Sequence, residues 1–161
     1  MKKTNTFGRI TFIAVLAFLL VNVTEAKEPQ FSGTWKINQG ESQLNEQFSF
    51  APSKMVITQD RNSIHIIRYV SRQGQEFTIE EKFTLDGKEC ENPGFQGNVK
   101  KSTATWSEDK KSLQIKTKLE SDRGTMDTRQ VYSFEGDKLK VVSAFSSPNG
   151  DISETWILDK E

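Results

Sequence analysis

The sequence predicts an all-β fold: a single antiparallel up-and-down β-barrel of about 8 to 10 strands, preceded by a cleavable signal peptide. Three observations carry this expectation. From Met55 onward, short runs of alternating apolar and polar residues are separated by Gly, Asn, Asp, Ser and Pro at the spacing of a meander. Beyond residue 26 no stretch keeps a helical period long enough for a useful helix, so the crossovers that a parallel sheet needs are missing. A meander removes its edges most simply by closing on itself, which favours a barrel over a sandwich.

Residues 1–26 carry Lys2, Lys3 and Arg9, then the apolar run from Ile10 to Val21, and end at Thr24-Glu-Ala26. This is the pattern of a secretory signal, and the run is shorter than the roughly 20 residues that span a bilayer. Cleavage is expected after Ala26, leaving 27–161 as one domain. No cysteine in or just after the run offers a lipid acceptor, so a soluble secreted or periplasmic product is expected. Cys90 is the lone cysteine and cannot form an internal disulfide. It is expected to be a small buried apolar residue.

The first strand is read in Phe31-Ser-Gly-Thr-Trp-Lys-Ile37, where Trp35 and Ile37 fall on one face and Thr34 and Lys36 on the other, with Gly33 allowing a bend. Residues 38 to 53 hold Gly40, Asn45 and Pro52 with little periodicity and are expected to form a lid-like loop at one mouth. Further strands are expected at 54–60, 63–70, 76–85, 88–91, 99–106, 112–120, 126–134, 138–145 and 152–159. Asp86-Gly87 is the strongest turn signal, because such a pair accepts the positive φ of a type I′ hairpin.

A two-residue turn at Gln73-Gly74 sets a register: Val70 opposite Phe77, Arg68 opposite Ile79, Ile66 opposite Glu81 and Ile64 opposite Phe83. These eight share the apolar, inward face, and His65, Tyr69, Glu80 and Lys82 point outward. The same parity sends Trp106, Ile115, Tyr132 and Trp156 inward. Arg68 and Glu81 are then two charges on an otherwise greasy lining. They form either a structural ion pair or a polar anchor for a ligand, with Arg68 holding its carboxylate.

Gly33-Thr-Trp-Lys36, Phe83-Thr-Leu-Asp-Gly-Lys-Glu89, Thr105-Trp106, Leu113-Gln-Ile115 and the run from Arg129 to Leu139 together resemble bacterial lipocalin-like domains of the calycin group, over most of 31–159. The resemblance implies a small up-and-down barrel around a cavity for an apolar molecule. It also implies an arginine stacked over the first-strand tryptophan. No arginine lies between Asp151 and Lys160, so Arg129 is the expected partner of Trp35, closing the barrel with Gly33. In the similar fatty-acid-binding proteins an Arg and a Tyr of the last strand grip the ligand's carboxylate, and here those places hold Trp156 and Leu158.

Composition excludes several other classes. Basic and acidic side chains balance at 22 each, so nothing draws nucleic acid or anionic lipid over long range. A single histidine and a single cysteine cannot build a closed Cys/His metal set, and outward His65 offers no triad. No enzyme activity, metal or cofactor is expected. The expected function is an exported monomer binding a small apolar or amphipathic ligand, with Ile66, Arg68, Phe77, Ile79, Glu81 and Phe83 lining the cavity together with Trp106, Ile115, Tyr132 and Trp156. The alternative is a protein-interaction or inhibitor module whose barrel is filled by its own side chains. A ligand pocket starts at about 300 Å³, so interior volume separates the two.

Overall fold

The computed structural model describes residues 27–72, 74–122 and 124–161; the segment carrying the signal-peptide expectation lies outside the described residues. The alternating runs form β1 (Gly33–Ile37), β2 (Lys54–Gln59), β3 (Ser63–Arg72), β4 (Gln75–Thr84), β5 (Glu89–Pro93), β6 (Val99–Trp106), β7 (Leu113–Ser121), β8 (Gly124–Glu135), β9 (Lys138–Ser147) and β10 (Gly150–Lys160). All ten lie in one antiparallel sheet of order β4-β3-β2-β1-β10-β9-β8-β7-β6-β5. β1 pairs with both β2 and β10, which bends the meander round into a nearly closed barrel.

The β3–β4 hairpin has the register that a two-residue turn dictates, with Val70 opposite Phe77, Arg68 opposite Ile79, Ile66 opposite Glu81 and Ile64 opposite Phe83. Parity carried round the ladders then points Trp106, Ile115, Tyr132, Val141 and Trp156 inward.

Closure differs from expectation at one seam. The Asp86-Gly87 turn forms, with Gly87 at φ 75°, yet the strands it joins share no main-chain ladder among the described residues. The connection runs through residues 85–88, and Leu85 N–H turns away to the carbonyl of Asn62 at 2.8 Å, so β4 and β5 splay. Asn92 of β5 fills the gap: its side-chain oxygen accepts from Lys82 N–H at 2.8 Å, and its amide donates to the Lys82 carbonyl at 3.0 Å. Cys90, expected to be a small buried apolar residue, is half-buried beside this seam and packs against the core.

One pole of the barrel is a packed floor. Phe31, from the segment before β1, inserts under the strands with its ring 6.0 Å from Trp106 and 5.2 Å from Phe134. The Trp35 indole N–H donates to the Phe31 carbonyl at 2.9 Å, and Gln59 pins the same segment by accepting from the Phe31 main-chain N–H at 3.0 Å and donating to the Pro29 carbonyl at 3.0 Å. With Trp35, Trp156, Tyr132, Leu113, Leu139 and Leu158 fully buried, this end supplies most of the hydrophobic stabilisation, about 1.5 to 3 kcal/mol per large side chain.

The cation expected over Trp35 is a lysine, and Arg129 does not play that part. Lys160 Nζ lies 5.6 Å from the Trp35 ring centre, while Arg129 sits exposed on the outer face of β8, opposite Lys116 and Ala144. The reason is strand neighbourhood. β10 pairs with β1 and places Lys160 opposite Trp35, and Gly33 leaves room for the lysine stem, which would come within 3.2 Å of a Cβ there.

Candidate functional site

Above the floor, inward positions of six strands turn polar and form a layer across the barrel. Arg68 on β3 and Glu81 on β4 form the ion pair that their register prepares, between Arg68 Nη2 and Glu81 Oε2. Lys100 on β6 takes the other oxygen of the same carboxylate. Arg68 Nη1 donates to Gln130 Oε1 at 2.9 Å, which also receives the Tyr132 hydroxyl at 3.0 Å, and Gln130 Nε2 reaches Ser143 Oγ at 3.5 Å. Ser102 and Thr117 join hydroxyls at 2.9 Å on the neighbouring strands. Buried charges are tolerable only when paired in this way.

The charge balance of the layer is uneven. Glu81 is 3% exposed and serves two cations, so the cluster carries one positive charge that no carboxylate within it answers. Arg68 Nε is buried and meets no acceptor among the described residues. Desolvation, aided by the adjacent guanidinium, lowers the Lys100 amine to about 8. Burial pushes the Tyr132 phenol up, so it stays a neutral hydroxyl donor. An anionic oxygen entering this layer would be stabilised by a charge already in place.

The opposite pole is the mouth. Its half-buried lining comprises Val70, Ile79, Met126, Phe145 and Ile152, with Phe77 at the rim, 49% exposed. Residues 38–53 form a loop that crosses this mouth. Phe50 packs 4.7 Å from Phe145, Phe48 packs edge-on against Phe50 at 4.6 Å, and Arg72 covers Phe48 at 4.3 Å. The loop is fastened from below by Glu154 of β10. Its carboxylate accepts from Asn45 N–H at 2.9 Å, from Phe50 N–H at 3.1 Å and from the Trp156 indole at 3.0 Å.

The residues expected to line a cavity therefore divide into two tiers. Ile66, Phe83, Ile115, Tyr132 and Trp156 are buried in or next to the floor, with Trp106 half-buried beside Phe31. Arg68, Glu81, Ile79 and Phe77 belong to the polar layer and the mouth. Lys100, Gln130, Ser143 and Glu154 are site residues that the sequence reading passed over. Each had a signal, since each keeps the parity of an inward aromatic or aliphatic neighbour: Trp106, Tyr132, Val141 and Trp156.

His65 lies outside, 2.8 Å from Glu80, and among the described residues no group of three His, Cys, Asp or Glu side chains is placed to hold a metal. The outer face of β5–β10 carries an open trough of about 740 Å³, where Lys116 and Arg129 face each other across β7 and β8.

No protein-family model and no curated protein matches the chain. Solved structures do. The chain is similar to the zebrafish ileal bile acid-binding protein complexed with cholic acid, with a TM-score of 0.55 and 17% identity over 81% of this chain and 98% of that one. It is also similar to human cRBP IV, with a TM-score of 0.51 and 22% identity over 80% and 97%. Fatty-acid-binding protein 1 of Echinococcus granulosus aligns with a TM-score of 0.52 and 16% identity over 81% and 96%. At these identities the likeness is one of fold: a ten-stranded antiparallel β-barrel.

Proposed function

We propose that the chain is an exported carrier of a small amphipathic ligand with an anionic head, taken in head first. The uneven charge of the buried polar layer is the observation that carries this reading. Arg68 has one nitrogen without an acceptor among the described residues, and a second cation stands beside it over an apolar floor. The ligand's oxygens would meet Arg68, Gln130 and Ser143, and its tail would leave between Ile79, Phe145 and Ile152 beneath Phe50. The similar structures of a bile acid-binding protein complexed with cholic acid and of a fatty-acid-binding protein support this class of ligand. Export is supported by the charged and apolar pattern of residues 1–26.

The test is a titration of residues 27–161 with a fluorescent long-chain carboxylic acid and the matching alcohol. Arg68→Met should weaken the acid about 10- to 100-fold, the value of a charge-assisted hydrogen bond, and leave the alcohol nearly unchanged. Equal affinities for acid and alcohol in the unaltered protein would remove the anionic head from the proposal.

A second reading, a protein-interaction module, is favoured by a specific observation. The floor is filled by the protein's own aromatics, and a large open hollow of mixed charge lies outside the barrel, with Lys116 and Arg129 beside Glu120 and Asp127 in its lining. On that reading neither lipid binds, and Lys116→Glu with Arg129→Glu, which reverses two charges of the trough, abolishes capture of the exported partner.

A further inference from the structure

We propose that Lys100 captures aldehydes: its side-chain amine condenses reversibly with a long-chain aldehyde lodged in the barrel, with Glu81 as proton shuttle and counter-ion. The inference rests on the barrel accepting an amphipathic chain head first, as above, and adds a covalent step at a different residue.

Placement comes first. Lys100 projects inward from β6, opposite Leu119, on the mouth side of the polar layer, and 19% of its side chain remains exposed. A carbonyl carried inward at the head of an apolar chain would arrive at the depth of this nitrogen.

Charge comes second. Two cations and one carboxylate leave an excess positive charge in a poorly solvated space, and a guanidinium cannot shed its proton. The lysine is the group that can. Desolvation and a neighbouring cation are the two arrangements by which a lysine becomes a nucleophile at neutral pH, and both act here, bringing this amine to about 8. At neutral pH its free-base fraction then exceeds that of an ordinary surface lysine by on the order of a few hundredfold.

The third element is the partner carboxylate, hydrogen-bonded to the amine. The neutral nitrogen adds to the carbonyl carbon, and the proton it releases passes by way of Glu81 to the carbonyl oxygen, giving a carbinolamine. A second proton returned through the same oxygen lets water leave as the nitrogen lone pair forms the C=N bond. Amine and aldehyde become imine and water, with nothing oxidised or reduced. Once protonated, the iminium carries the same charge as the ammonium it replaced, so Glu81 keeps its partner and the ion-pair count of the layer does not change.

The experiment uses residues 27–161 and dodecanal with cyanoborohydride, which reduces an imine to a stable secondary amine that intact-mass and peptide mapping can locate. The expected result is one adduct, on Lys100, formed at least about tenfold faster than on any exposed lysine and suppressed by excess dodecanoate. Lys100→Arg, which keeps the charge, should abolish it, and Glu81→Gln should slow it. Adducts spread over surface lysines, or an undiminished adduct in Lys100→Arg, would overturn the proposal. If dodecanoate binds and no adduct forms, aldehyde capture fails and the carrier reading stands. If neither compound binds, both fail together.

Discussion

The side-chain amide of Asn92 occupies the place of a strand's own peptide group, accepting from Lys82 N–H at 2.8 Å and donating to the Lys82 carbonyl at 3.0 Å. With the Cys90 thiol, which also reaches the Lys82 carbonyl, Asn92 stitches the seam where the two ends of the sheet meet. Asn92→Ala should cost about 1–3 kcal/mol, because it leaves the part-buried Lys82 N–H unmet and its carbonyl with only the weaker Cys90 thiol. Urea denaturation measures the loss. Amide exchange should accelerate selectively at Lys82, and uniform acceleration across β4 would contradict the seam.

Glu81 answers two cations, so its loss should be worse than the loss of either one. Glu81→Gln strands Arg68 and Lys100 against each other and is expected to destabilise by about 3–5 kcal/mol. Arg68→Met leaves a neutral Lys100–Glu81 pair and should cost clearly less. Denaturant midpoints of the two variants, compared at equal m-value, decide the order.

Lys100 gives the stability a pH signature. In the folded chain its amine releases its proton at about 8 and in the unfolded chain at about the ordinary 10.5, so between those values the unfolded state binds more protons. Stability from this group therefore rises with pH through that window and is lowest below it. The stability of the unaltered protein minus that of Lys100→Met should increase from about pH 8 upward, the other lysines cancelling in the difference. A flat difference across the window would contradict the lowered amine.

Glu154 fastens the mouth loop through two main-chain N–H groups, those of Asn45 and Phe50. Glu154→Gln replaces one acceptor oxygen by a donor facing a donor and is expected to cost about 1–3 kcal/mol. Limited proteolysis should cut within 44–51 faster in the variant, while the β3–β4 hairpin stays protected. Unchanged cleavage would mean that the aromatic contacts of Phe48 and Phe50 hold the loop without it.

Much of the barrel was legible from one hairpin. Gln73-Gly74 fixes the parity of β3 and β4, and every ladder passes that parity on, so an inward Trp106 or Tyr132 could be read without coordinates. The same rule marked Lys100 and Gln130, but an adjacent pair of lysines, Lys100-Lys101, reads as solvated surface until their opposite faces are considered. Parity is silent on which strand ends meet. Nothing local to Asp86-Gly87 says that its strands will splay, or that Asn92 will cross the gap. The cation over Trp35 was sought as an arginine and found as Lys160, because the strand pairing placed a lysine there.

Both ends of the domain issue from one pole. Phe31 lies beneath the strands there, and Glu161 N–H closes on the Thr34 carbonyl at 2.9 Å beside the same first turn of β1. A tag, linker or leader joined at either terminus would hang from the base and keep clear of the opening. Tethering the domain by its tail to a solid support should therefore present the entrance outward in uniform orientation.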